Sequence, residues 1–413
     1  MKKLIGLVIL TIMATQVQAA GFRVALQSAK QTGMAHVGVG MNLGPESIFF
    51  NPGALAHSDR GGISFTGSAV MSTTTYNLPG TAVTSELEDN IGTPIALYAS
   101  HKFSDKLAGG LGIYTPYGNR VEWENDWAGR FISQSIDLKA FFIQPTLSYK
   151  LSDKIGIGAG LIYAAGTVEL QRAVPITNEI EPDLLLETDG AASGIGYNAG
   201  IYLQASENVS LGVDYRSKIE VDAEDGTITK LNFPDAQAVN SVFTATAFNA
   251  TLPLPAELAF GGAVKANDRL TIAADANLIF WNAYESLDFE FNGTVGGEMS
   301  SINPQNWEDA WTIKLGGQYA ASDKIDLRAG AYLDYTPIPD ATLTPITPDS
   351  DRLNFSFGGT VRPSDQFSID AALLIVNGEE RTVEQSESVY DFAQRYRVGA
   401  VVPSLGLNYG FNK

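Results

Sequence analysis

The chain has 413 residues, and it lacks cysteine, long apolar runs and a high charge content. The absence of cysteine excludes disulfides, thiolate metal sites and a lipid-anchoring thiol near an export cleavage site. Charged residues make up 18% of the chain, against about 25% in an average soluble domain. The longest apolar run, residues 4–14, is too short to cross a bilayer as a helix, and the mean hydropathy is +0.00. A helical membrane protein is therefore excluded.

Positive charge and catalytic motifs are also scarce. Lys and Arg number 27 against 46 Asp and Glu, so the formal net charge of −19 argues against nucleic acid as a partner. The three histidines, His36, His57 and His101, show no metal-ligand spacing. No G-x-S-x-G elbow, H-E-x-x-H pair or phosphate loop occurs in the sequence. We therefore predict no enzymatic activity, no metal and no cofactor.

The N-terminus has the pattern of an export signal. Lys2 and Lys3 precede the apolar run, and small residues stand at the first and last positions of Val17-Gln18-Ala19. This pattern predicts a signal peptide over residues 1–19, with the mature chain beginning at Ala20. An exported chain without cysteine and without membrane helices fits the outer membrane of a bacterium.

Six short polar turns punctuate the remaining chain. Each has Ser or Asn followed by a carboxylate, and such side chains bond nearby backbone groups in tight turns. The turns are Ser104-Asp105-Lys106, Ser152-Asp153-Lys154, Ser206-Glu207-Asn208, Asn267-Asp268-Arg269, Ser322-Asp323-Lys324 and Ser364-Asp365-Gln366. Their acidic positions are 42 to 61 residues apart. Such intervals suit two membrane strands of about 10 residues each plus one long loop.

Apolar and polar residues alternate after several of these turns. After the third turn, the apolar row is Val209, Leu211, Val213 and Tyr215. Alternation at period two places one row on each face of a strand. The row ends in an aromatic residue here and after the next two turns, as in the interface girdle of a membrane barrel. A soluble β-sandwich is the alternative, although it rarely alternates short turns with long loops so regularly.

The turns also give the number of strands. If both termini are periplasmic, six turns separate seven hairpins, and residues 60–413 form an all-β membrane protein, a 14-stranded antiparallel transmembrane β-barrel. An apolar stretch from Val242 to Phe248 predicts a short packed helix in the longest outer loop. The predicted outer loops are about 78–92, 117–132, 172–192, 222–252, 292–307, 337–351 and 378–393.

Residues 20–59 do not fit the strand pattern. Their glycines interrupt any long helix, so one short helix is expected from Ala25 to Met34 and another from Pro45 onward, with a break at Asn51-Pro52. A disordered leader is the alternative, but Phe49, Phe50 and Leu55 are unusual in disordered segments. We predict a small N-terminal helical hatch that plugs the barrel lumen.

Several motifs, in order along the whole mature chain, resemble the FadL family of long-chain fatty acid transporters. The motifs are Ala20-Gly21-Phe22, Asn51-Pro52-Gly53-Ala54, Val213-Asp-Tyr-Arg-Ser-Lys218, Leu252-Pro253, Asn306-Trp-Glu-Asp309, Tyr335-Thr-Pro-Ile-Pro339 and Pro348-Asp349-Ser350-Asp351-Arg352. The resemblance implies a barrel with a hatch, capture of hydrophobic molecules by the outer loops, and an internal pocket. It further implies lateral release into the membrane through a break in strand 3.

The resemblance also suggests which residues act. It places Ala20, Gly21 and Phe22 at the substrate, and it implies that the motif Asn51, Pro52 and Gly53 holds the hatch by polar contacts of Asn51. In the last strand, an apolar row ends at Phe411, which resembles the recognition signal of outer-membrane barrels.

Strand 3 contains residues that disturb strand pairing. Pro116 has no N–H to donate, and Gly118 lies two residues beyond it, after Tyr117. From the residues alone, Pro116 either ends the strand at the outer rim or opens the wall. The resemblance favours a lateral opening at Pro116, Tyr117 and Gly118.

The substrate class is left open by the pocket residues. Arg172 corresponds to a family arginine near the ligand head group, and an arginine suits a carboxylate. The alternative is a solvated arginine at the rim, paired with Glu169. The family's second cation is missing, because the corresponding stretch is Asn303-Pro304-Gln305. Neutral aromatic or aliphatic hydrocarbons therefore remain possible substrates.

Charged residues also fall on the inward row of several strands. We predict hatch-to-wall ion pairs for them, because buried charges need partners. They are Asp214, Arg216, Asp275, Lys314, Asp326 and Arg328.

The sequence thus predicts a monomeric outer-membrane transporter for passive uptake of long-chain fatty acids or similar hydrophobic molecules. Its partners would be that cargo, the outer-membrane lipids and lipopolysaccharide, and not nucleic acid. The alternatives are a hydrocarbon channel, a general porin, a surface-anchored structural or adhesive protein and, more remotely, a membrane-embedded hydrolase.

Overall fold

The computed structural model describes residues 21–88, 91–175 and 185–412. The predicted signal peptide and Ala20 lie outside these residues. The wall of the molecule is a closed antiparallel barrel of 14 strands, as predicted. In chain order the strands are: strand 1, Gly62–Ser68 and Val70–Ser72; strand 2, Ile91–Gly92 and Ile95–Lys102; strand 3, Leu107–Glu122; strand 4, Ser135–Lys150; strand 5, Ile155–Ala173; strand 6, Leu185–Gln204; strand 7, Val209–Arg216 and Ile219–Leu231; strand 8, Ala247–Leu254 and Ala256–Lys265; strand 9, Leu270–Phe280; strand 10, Ala310–Ser322; strand 11, Ile325–Asp334; strand 12, Arg352–Val361; strand 13, Phe367–Val383; and strand 14, Gln394–Gly410.

Strand 1 closes the barrel because it pairs on both of its edges. Phe65 is opposite Leu407 of strand 14 on one side and opposite Leu97 of strand 2 on the other. The strands between them pair with their neighbours in chain order. Closure removes the free edges that an open sheet would expose to lipid.

The two faces of the wall differ as a membrane barrel requires. Leu161 is 66% exposed on the outside, whereas Ile162, its neighbour, is fully buried inside. Leu405 is 63% exposed and Ser404 only 2%. Large apolar side chains that face outward are stable in contact with lipid, while polar side chains that face inward can form hydrogen bonds inside the barrel. Among the described residues, no helix combines the length and apolarity needed to span a bilayer.

The six polar turns join neighbouring strands at one end of the barrel. In each, the Ser or Asn side chain accepts a backbone N–H two or three residues later, as expected for tight turns. In the first turn, for example, the Leu107 N–H lies 3.1 Å from the Ser104 hydroxyl oxygen. The turn count and its physical reason are both confirmed.

The outer loops are shorter than predicted because the strands extend into them. Strands 5 and 6 reach Ala173 and Leu185, inside the range predicted as the loop 172–192, and strand 7 reaches Leu231. A strand segment with water on both faces can still continue a hydrogen-bonded ladder. The prediction placed the strand ends too early because it took polar residues as the start of a loop. The longest loop does contain a short helix, but it is Gln237–Val242 and not the predicted stretch Val242–Phe248, whose end belongs to strand 8.

Further short elements complete the outer side. They are a hairpin of Thr75–Asn77 with Thr84–Glu86, a hairpin of Phe289–Val295 with Glu298–Ser301, and the 3-10 turns Trp281–Ala283, Asp340–Thr342 and Gln385–Glu387.

The segment before strand 1 forms short helices inside the barrel. The helices are Ala29–Thr32 and Ser47–Phe50, and the 3-10 turns are Gly44–Glu46 and Pro52–His57. The Ser28 hydroxyl caps the first helix by accepting the Gln31 N–H at 3.2 Å. That helix is shorter than the predicted range because the backbone turns left-handed soon after it, at Ala35 and His36, which both have φ +58°.

This hatch lies directly on the wall. A Cβ atom added to Gly40 would lie 2.6 Å from the Gly262 Cα, and one added to Gly33 would lie 2.9 Å from the Gly358 Cα. Only glycine allows two backbones to approach so closely. The hatch and the wall therefore touch without intervening side chains at these positions.

Candidate binding site between the hatch and strand 3

Strand 3 carries a β-bulge where its proline lies. Tyr114 is opposite Phe142 of strand 4, and Tyr117 is opposite Ala140, so strand 3 has one extra residue in this interval. Its pairing with strand 2 ends at Tyr114, although strand 3 continues to Glu122. Pro116 therefore does not end the strand, and that alternative is wrong.

The free edge of strand 3 is occupied by the start of the hatch. The Val24 N–H donates to the Pro116 carbonyl oxygen at 2.8 Å, and the Gly118 N–H donates to the Phe22 carbonyl oxygen at 3.2 Å. Residues 22–24 thus act as a short extra strand on the inner side of the bulge. The predicted residues of the lateral opening and two of the predicted substrate residues, Gly21 and Phe22, lie together here.

Phe22 is the centre of an aromatic cluster. Its ring centroid lies 5.0 Å from Trp281, 5.5 Å from Trp307, 6.0 Å from Tyr284 and 5.9 Å from Tyr117. Edge-to-face aromatic contacts at such distances add about 0.5–1.5 kcal/mol per pair beyond burial. The cluster fixes the position of Phe22, which is 6% exposed.

Gly21 is held by a carboxylate in the outer loop before strand 12. Its N–H donates to Oδ2 of Asp349 at 3.0 Å, and the same oxygen accepts the Thr336 hydroxyl at 2.7 Å. Arg352 forms an ion pair with the other oxygen. Gly21 has φ +66°, and a Cβ atom there would lie 2.5 Å from the Trp307 ring, so no larger residue fits.

An apolar cavity of about 90 Å³ lies beside Phe22. Its walls come from strands 3 to 8, the segment before the second hairpin, and the loop before strand 12. The apolar cavity is lined by Phe22, Tyr117, Ile136, Leu138, Ala140, Val168, Leu170, Ala192, Val221, Leu252, Leu254, Tyr284, Leu287, Phe289 and Ile346, together with a few polar residues. A space with such walls suits a hydrocarbon group.

Charge is nearly absent from this cavity. Lys139 is the one charged residue among the described residues that line it, and its ammonium lies 2.7 Å from Asp137 in a side chain that is 58% exposed. The Asn119 amide also lines the cavity but donates to the Ile346 carbonyl oxygen at 2.7 Å. Neither group is free to hold a ligand head group deep in the cavity.

Arg172 lies just above the apolar cavity and does not line it. It follows Leu170 on the inward row of strand 5, two residues or about 7 Å further out. Glu169 is exposed on the opposite face of the strand, and among the described residues no ion pair joins it to Arg172. The alternative of a rim arginine paired with Glu169 is therefore wrong.

The stretch that lacks the family's second cation lies in the outer segment before strand 10. The Asn303 amide donates to the Leu287 carbonyl oxygen at 2.8 Å, which connects this stretch to the cavity wall. No basic residue takes its place in the sequence.

Asn51 bonds the hatch to itself and to the wall. Its Nδ2 donates to the Val39 carbonyl oxygen at 2.8 Å and to the Ile201 carbonyl oxygen of strand 6 at 3.0 Å. Its Oδ1 accepts the Gly53 N–H at 2.9 Å and caps the turn that begins at Pro52. The three motif residues thus hold one turn of the hatch against strand 6.

The inward charges attach the hatch differently from the predicted ion pairs. Asp275 accepts the Gly38 and Val39 N–H groups at 2.6 and 3.1 Å, and Arg216 donates to the Phe49 carbonyl oxygen at 3.0 Å. The backbone of a compact hatch offers more polar groups than its few charged side chains do. Within the described part of the chain, one ion pair joins hatch and wall, Arg23 with Glu257 at 2.9 Å.

Asp326 and Arg328 were also expected to bind the hatch. Instead they belong to a cluster within the wall, in which Arg328 lies 3.3 Å from Asp326 and 3.6 Å from Asp370 of strand 13.

An apolar path leads outward from the cavity. Phe289 lines the cavity and packs against Phe248 and Phe291 at 5.4 and 6.4 Å. Phe248 belongs to a buried cluster of the outer loops that includes Phe243. A larger groove of about 780 Å³ lies nearby, but its walls are rich in carboxylates such as Glu220. The apolar cluster is therefore the better surface for an apolar molecule.

Sequence reasoning did not bring together the residues that surround Phe22, although Tyr117 and Trp307 stand in segments that it had singled out. The segment between strands 9 and 10 has Trp281 and Tyr284 near its start and Trp307 near its end. The loop before strand 12 lies over the lumen and contacts Trp123, whose indole donates to the Pro345 carbonyl oxygen at 3.1 Å. The chain has only 5 tryptophans, and the presence of Trp281 and Trp307 in one segment between strands was a signal in the sequence for an aromatic cluster.

In the part of the chain that the structure describes, no group of three or more His, Asp or Glu is arranged to hold a metal ion.

Comparisons with known proteins point to one family. The family model described as outer membrane protein transport protein (OMPP1/FadL/TodX) matches residues 10–411. The long-chain fatty acid transport protein of Salmonella typhi is 24% identical, over 98% of this chain and 97% of that protein. The putative outer membrane protein NMB0088 of Neisseria meningitidis serogroup B is 26% identical, over 100% and 99%.

Solved structures share the architecture. A Pseudomonas aeruginosa FadL homologue has a TM-score of 0.83 at 21% identity, covering 95% of this chain and 100% of that one. The toluene transporter TodX of P. putida has a TM-score of 0.70 at 15% identity, covering 96% and 100%. At these identities the similarity shows the fold.

Proposed function

The chain belongs to the outer membrane protein transport protein family (OMPP1/FadL/TodX) and is an outer-membrane transporter of hydrophobic compounds, and from that premise we propose that it takes up long-chain fatty acids or similar molecules by passive diffusion. Residues 1–19 direct export and are cleaved, the hatch of residues 20–59 plugs the barrel of residues 60–413, and the protein works as a monomer among outer-membrane lipids and lipopolysaccharide. No cofactor, energy source or catalytic step is involved.

The observation that carries this proposal is the apolar cavity, closed on one side by Phe22 of the hatch. Burial of each CH₂ group in such a cavity stabilises the bound molecule by about 0.8 kcal/mol. The apolar cluster around Phe248 supplies the capture surface in the outer loops. Because residues 22–24 occupy the edge of strand 3 beside the cavity, movement of the N-terminal segment releases the cargo.

Release occurs sideways, through the bulge of strand 3. Strand 2 and strand 3 stop pairing at Tyr114, and the Pro116 carbonyl oxygen bonds to the hatch instead of to a neighbouring wall strand. When residues 22–24 leave this edge, the bulge at Pro116, Tyr117 and Gly118 opens towards lipid. A hydrophobic molecule then avoids the aqueous periplasm.

A neutral hydrocarbon is the second candidate cargo, favoured by the lack of a free cation in the cavity. Among the related proteins, one is named for long-chain fatty acids and another for toluene. Arg172, just above Leu170, is the residue that would favour a carboxylate in this chain, because its guanidinium can bind both carboxylate oxygens.

The cavity is tested by filling it. Ala192→Trp places an indole in the apolar cavity, whereas Ala191→Trp, the control, changes the next residue, which is exposed on the outer row of the same strand. Uptake of labelled hexadecanoic acid and toluene is measured in cells with equal amounts of folded protein. We expect Ala192→Trp to lower uptake about tenfold, since loss of about 1.4 kcal/mol of binding has that effect. Equal uptake by the two variants would refute the proposed cavity.

The cargo and the exit have separate tests. Arg172→Leu is expected to lower uptake of hexadecanoic acid and to leave toluene uptake unchanged; equal effects on both would remove Arg172 as a head-group residue.

Deletion of Pro116 removes the extra residue of the bulge and should abolish uptake of both, whereas deletion of Gly80 in an outer loop should not. Normal uptake without Pro116 would exclude lateral release there.

A further inference from the structure

We propose that a second cavity, on the other side of Phe22, binds the polar head group of the cargo through His36 and Arg352 and thereby favours molecules with an oxygen acceptor over hydrocarbons. We call it the polar chamber, a space of about 200 Å³ lined among others by Phe22, Arg23, His36, Gly118, Arg352 and Leu374. This inference rests on the proposed transport function and specifies its path beyond the apolar cavity.

The polar chamber lies beside the bulge and next to the apolar cavity. Phe22 lines both cavities, so movement of the N-terminal segment would join them. Gly118 of the bulge lines the chamber directly. On the far side the wall is apolar, since Leu374 and Val402 pack there with Leu26 of the hatch. The chamber therefore has one face for a hydrocarbon chain and one for a polar group.

His36 is an unusual residue for such a place. It is 3% exposed, yet neither Nδ1 nor Nε2 has a hydrogen-bond partner among the described residues. Its backbone is left-handed at φ +58°, and its ring packs edge-on against Tyr332 at 5.4 Å. A buried polar group without a hydrogen-bond partner destabilises the fold, so the retention of His36 in a packed hatch calls for a reason.

His36 is neutral in this environment. Burial, and then the charges of Lys314 and Arg23, lower its pKa well below the usual value. A neutral imidazole keeps one N–H donor and one acceptor nitrogen. Its N–H can therefore serve an oxygen acceptor at neutral pH.

Arg352 supplies a second free donor. Its Nε is buried without a partner, while its Nη2 forms the ion pair with Asp349. Arg23 and Arg120 also line the chamber; Arg23 is paired with Glu257, and Arg120 lies 3.9 Å from Glu122 and from Asp137. Because all three arginines have carboxylate partners and Asp334 also lines the chamber, the chamber is not a general trap for anions. What it offers is a pair of unpartnered N–H donors beside an apolar wall.

The ligand chemistry follows from these donors. A carboxylate oxygen can accept from His36 and Arg352 while the adjoining carbons lie against Leu374 and Val402. Hydrogen bonds to a charged group are stronger than those between neutral groups. A hydrocarbon leaves both donors unpartnered and gains only apolar contact. The chamber thus selects a fatty acid over an alkane of the same length.

Nuclear magnetic resonance can observe this site directly. The chain has only 3 histidines, so a ¹⁵N-histidine spectrum of the full protein in detergent has few signals. His36→Phe and His57→Phe assign them. We expect hexadecanoic acid to shift the ring signals of His36 and to leave those of His57 and His101 in place. Hexadecane is expected to shift none.

Transport gives the second test. We expect His36→Phe to lower uptake of hexadecanoic acid about tenfold, the effect of losing about 1.4 kcal/mol, and to leave hexadecane uptake unchanged. His57→Phe is the matched control, because His57 is also a hatch histidine but lies against Tyr202, away from the chamber. His36→Asn, which tolerates a left-handed backbone and keeps a donor, should restore much of the uptake.

The outcomes separate the two proposals. If Ala192→Trp blocks uptake but His36 signals do not respond to the acid, the apolar cavity stands and the polar chamber is refuted. If acid and hexadecane lose uptake equally in His36→Phe, His36 acts only through packing, which also refutes the chamber. If Ala192→Trp has no effect, the proposed function itself fails.

Discussion

Asp275 attaches the hatch to the wall by accepting two backbone N–H groups, those of Gly38 and Val39. The aspartate was predictable as an inward residue from the alternation of its strand, but its partners were not. A backbone N–H leaves no trace in the sequence, so the expectation of an ion pair was the natural error. The same holds for Arg216 and the Phe49 carbonyl oxygen.

Removal of this carboxylate should loosen the hatch. Asp275→Ala leaves two buried N–H groups without partners, at about 1–3 kcal/mol for each such group. We expect the amides of residues 37–41 to exchange hydrogen about tenfold faster or more, while wall amides keep their protection. Asp268→Ala, in a periplasmic turn, is the control. Unchanged exchange in the hatch would contradict this role.

Asp351 makes the loop before strand 12 sensitive to pH. Burial and the nearby charges of Glu379 and Asp349 raise its pKa to about 7, against the opposing effect of Arg381 and Arg352. The folded loop therefore holds a proton that the unfolded chain releases near pH 4. The resulting stabilisation is fully present below about pH 4 and is lost as the pH rises through about 7.

The loop should accordingly be better protected at pH 5 than at pH 8. Hydrogen-exchange protection factors of residues 335–351 measure this difference. Asp351→Asn, which mimics the neutral acid, should keep the higher protection at both pH values. The same change at Asp323, in an exposed turn, should leave the pH dependence as it is. A loop equally protected at both pH values in the unaltered protein would disprove the assignment.

At the level of elements, the pairing of residues 22–24 with strand 3 is the part of the site that must move for release. Arg23 and Tyr117 face each other across this short ladder. The hydrogen bonds flank them and do not join them, so their Cα atoms are at about 4.5 Å, within disulfide range. Two cysteines here can lock the segment to strand 3.

The double variant Arg23→Cys, Tyr117→Cys has its own control. The chain contains no other cysteine, so oxidation creates one defined bond and reduction removes it. We expect the oxidised protein to lose at least about tenfold of the hexadecanoic acid uptake that the reduced protein retains. Both forms carry the same substitutions, so the comparison isolates movement. Equal uptake in the two forms would mean that the N-terminal segment stays in place during transport.

The sequence was sufficient for the regular elements and insufficient for the irregular ones. Alternation and turn chemistry are local, and they gave the strands, the six turns and the short hatch helices. The disturbance at Pro116 was also visible. The sequence did not show which segment pairs with the free edge of strand 3, because the contact of that edge with residues 22–24 is long-range. The prediction of where the strands end beyond the membrane was wrong for another reason, since polar residues there still pair with neighbouring strands.

For the whole molecule, the main consequence of the hatch is a closed lumen. The intact protein in a planar bilayer is expected to show no steady current of the size seen for an open general porin measured in the same bilayer. The reason is the direct contact of hatch and wall, as at Gly40 and Gly262. A stable porin-sized conductance would contradict the transport proposal and restore the porin alternative.

The close contact of hatch and wall also bears on how the molecule is made. Gly33 lies against Gly358 of strand 12 and Gly40 against Gly262 of strand 8, with no room for a side chain at either place. A piece that fits so tightly is easier to enclose than to insert into a finished barrel. We therefore expect the seam between strands 1 and 14 to close last, around a hatch that is already in position. The first part of the chain to leave the export machinery is then a template on which the rest of the wall is assembled.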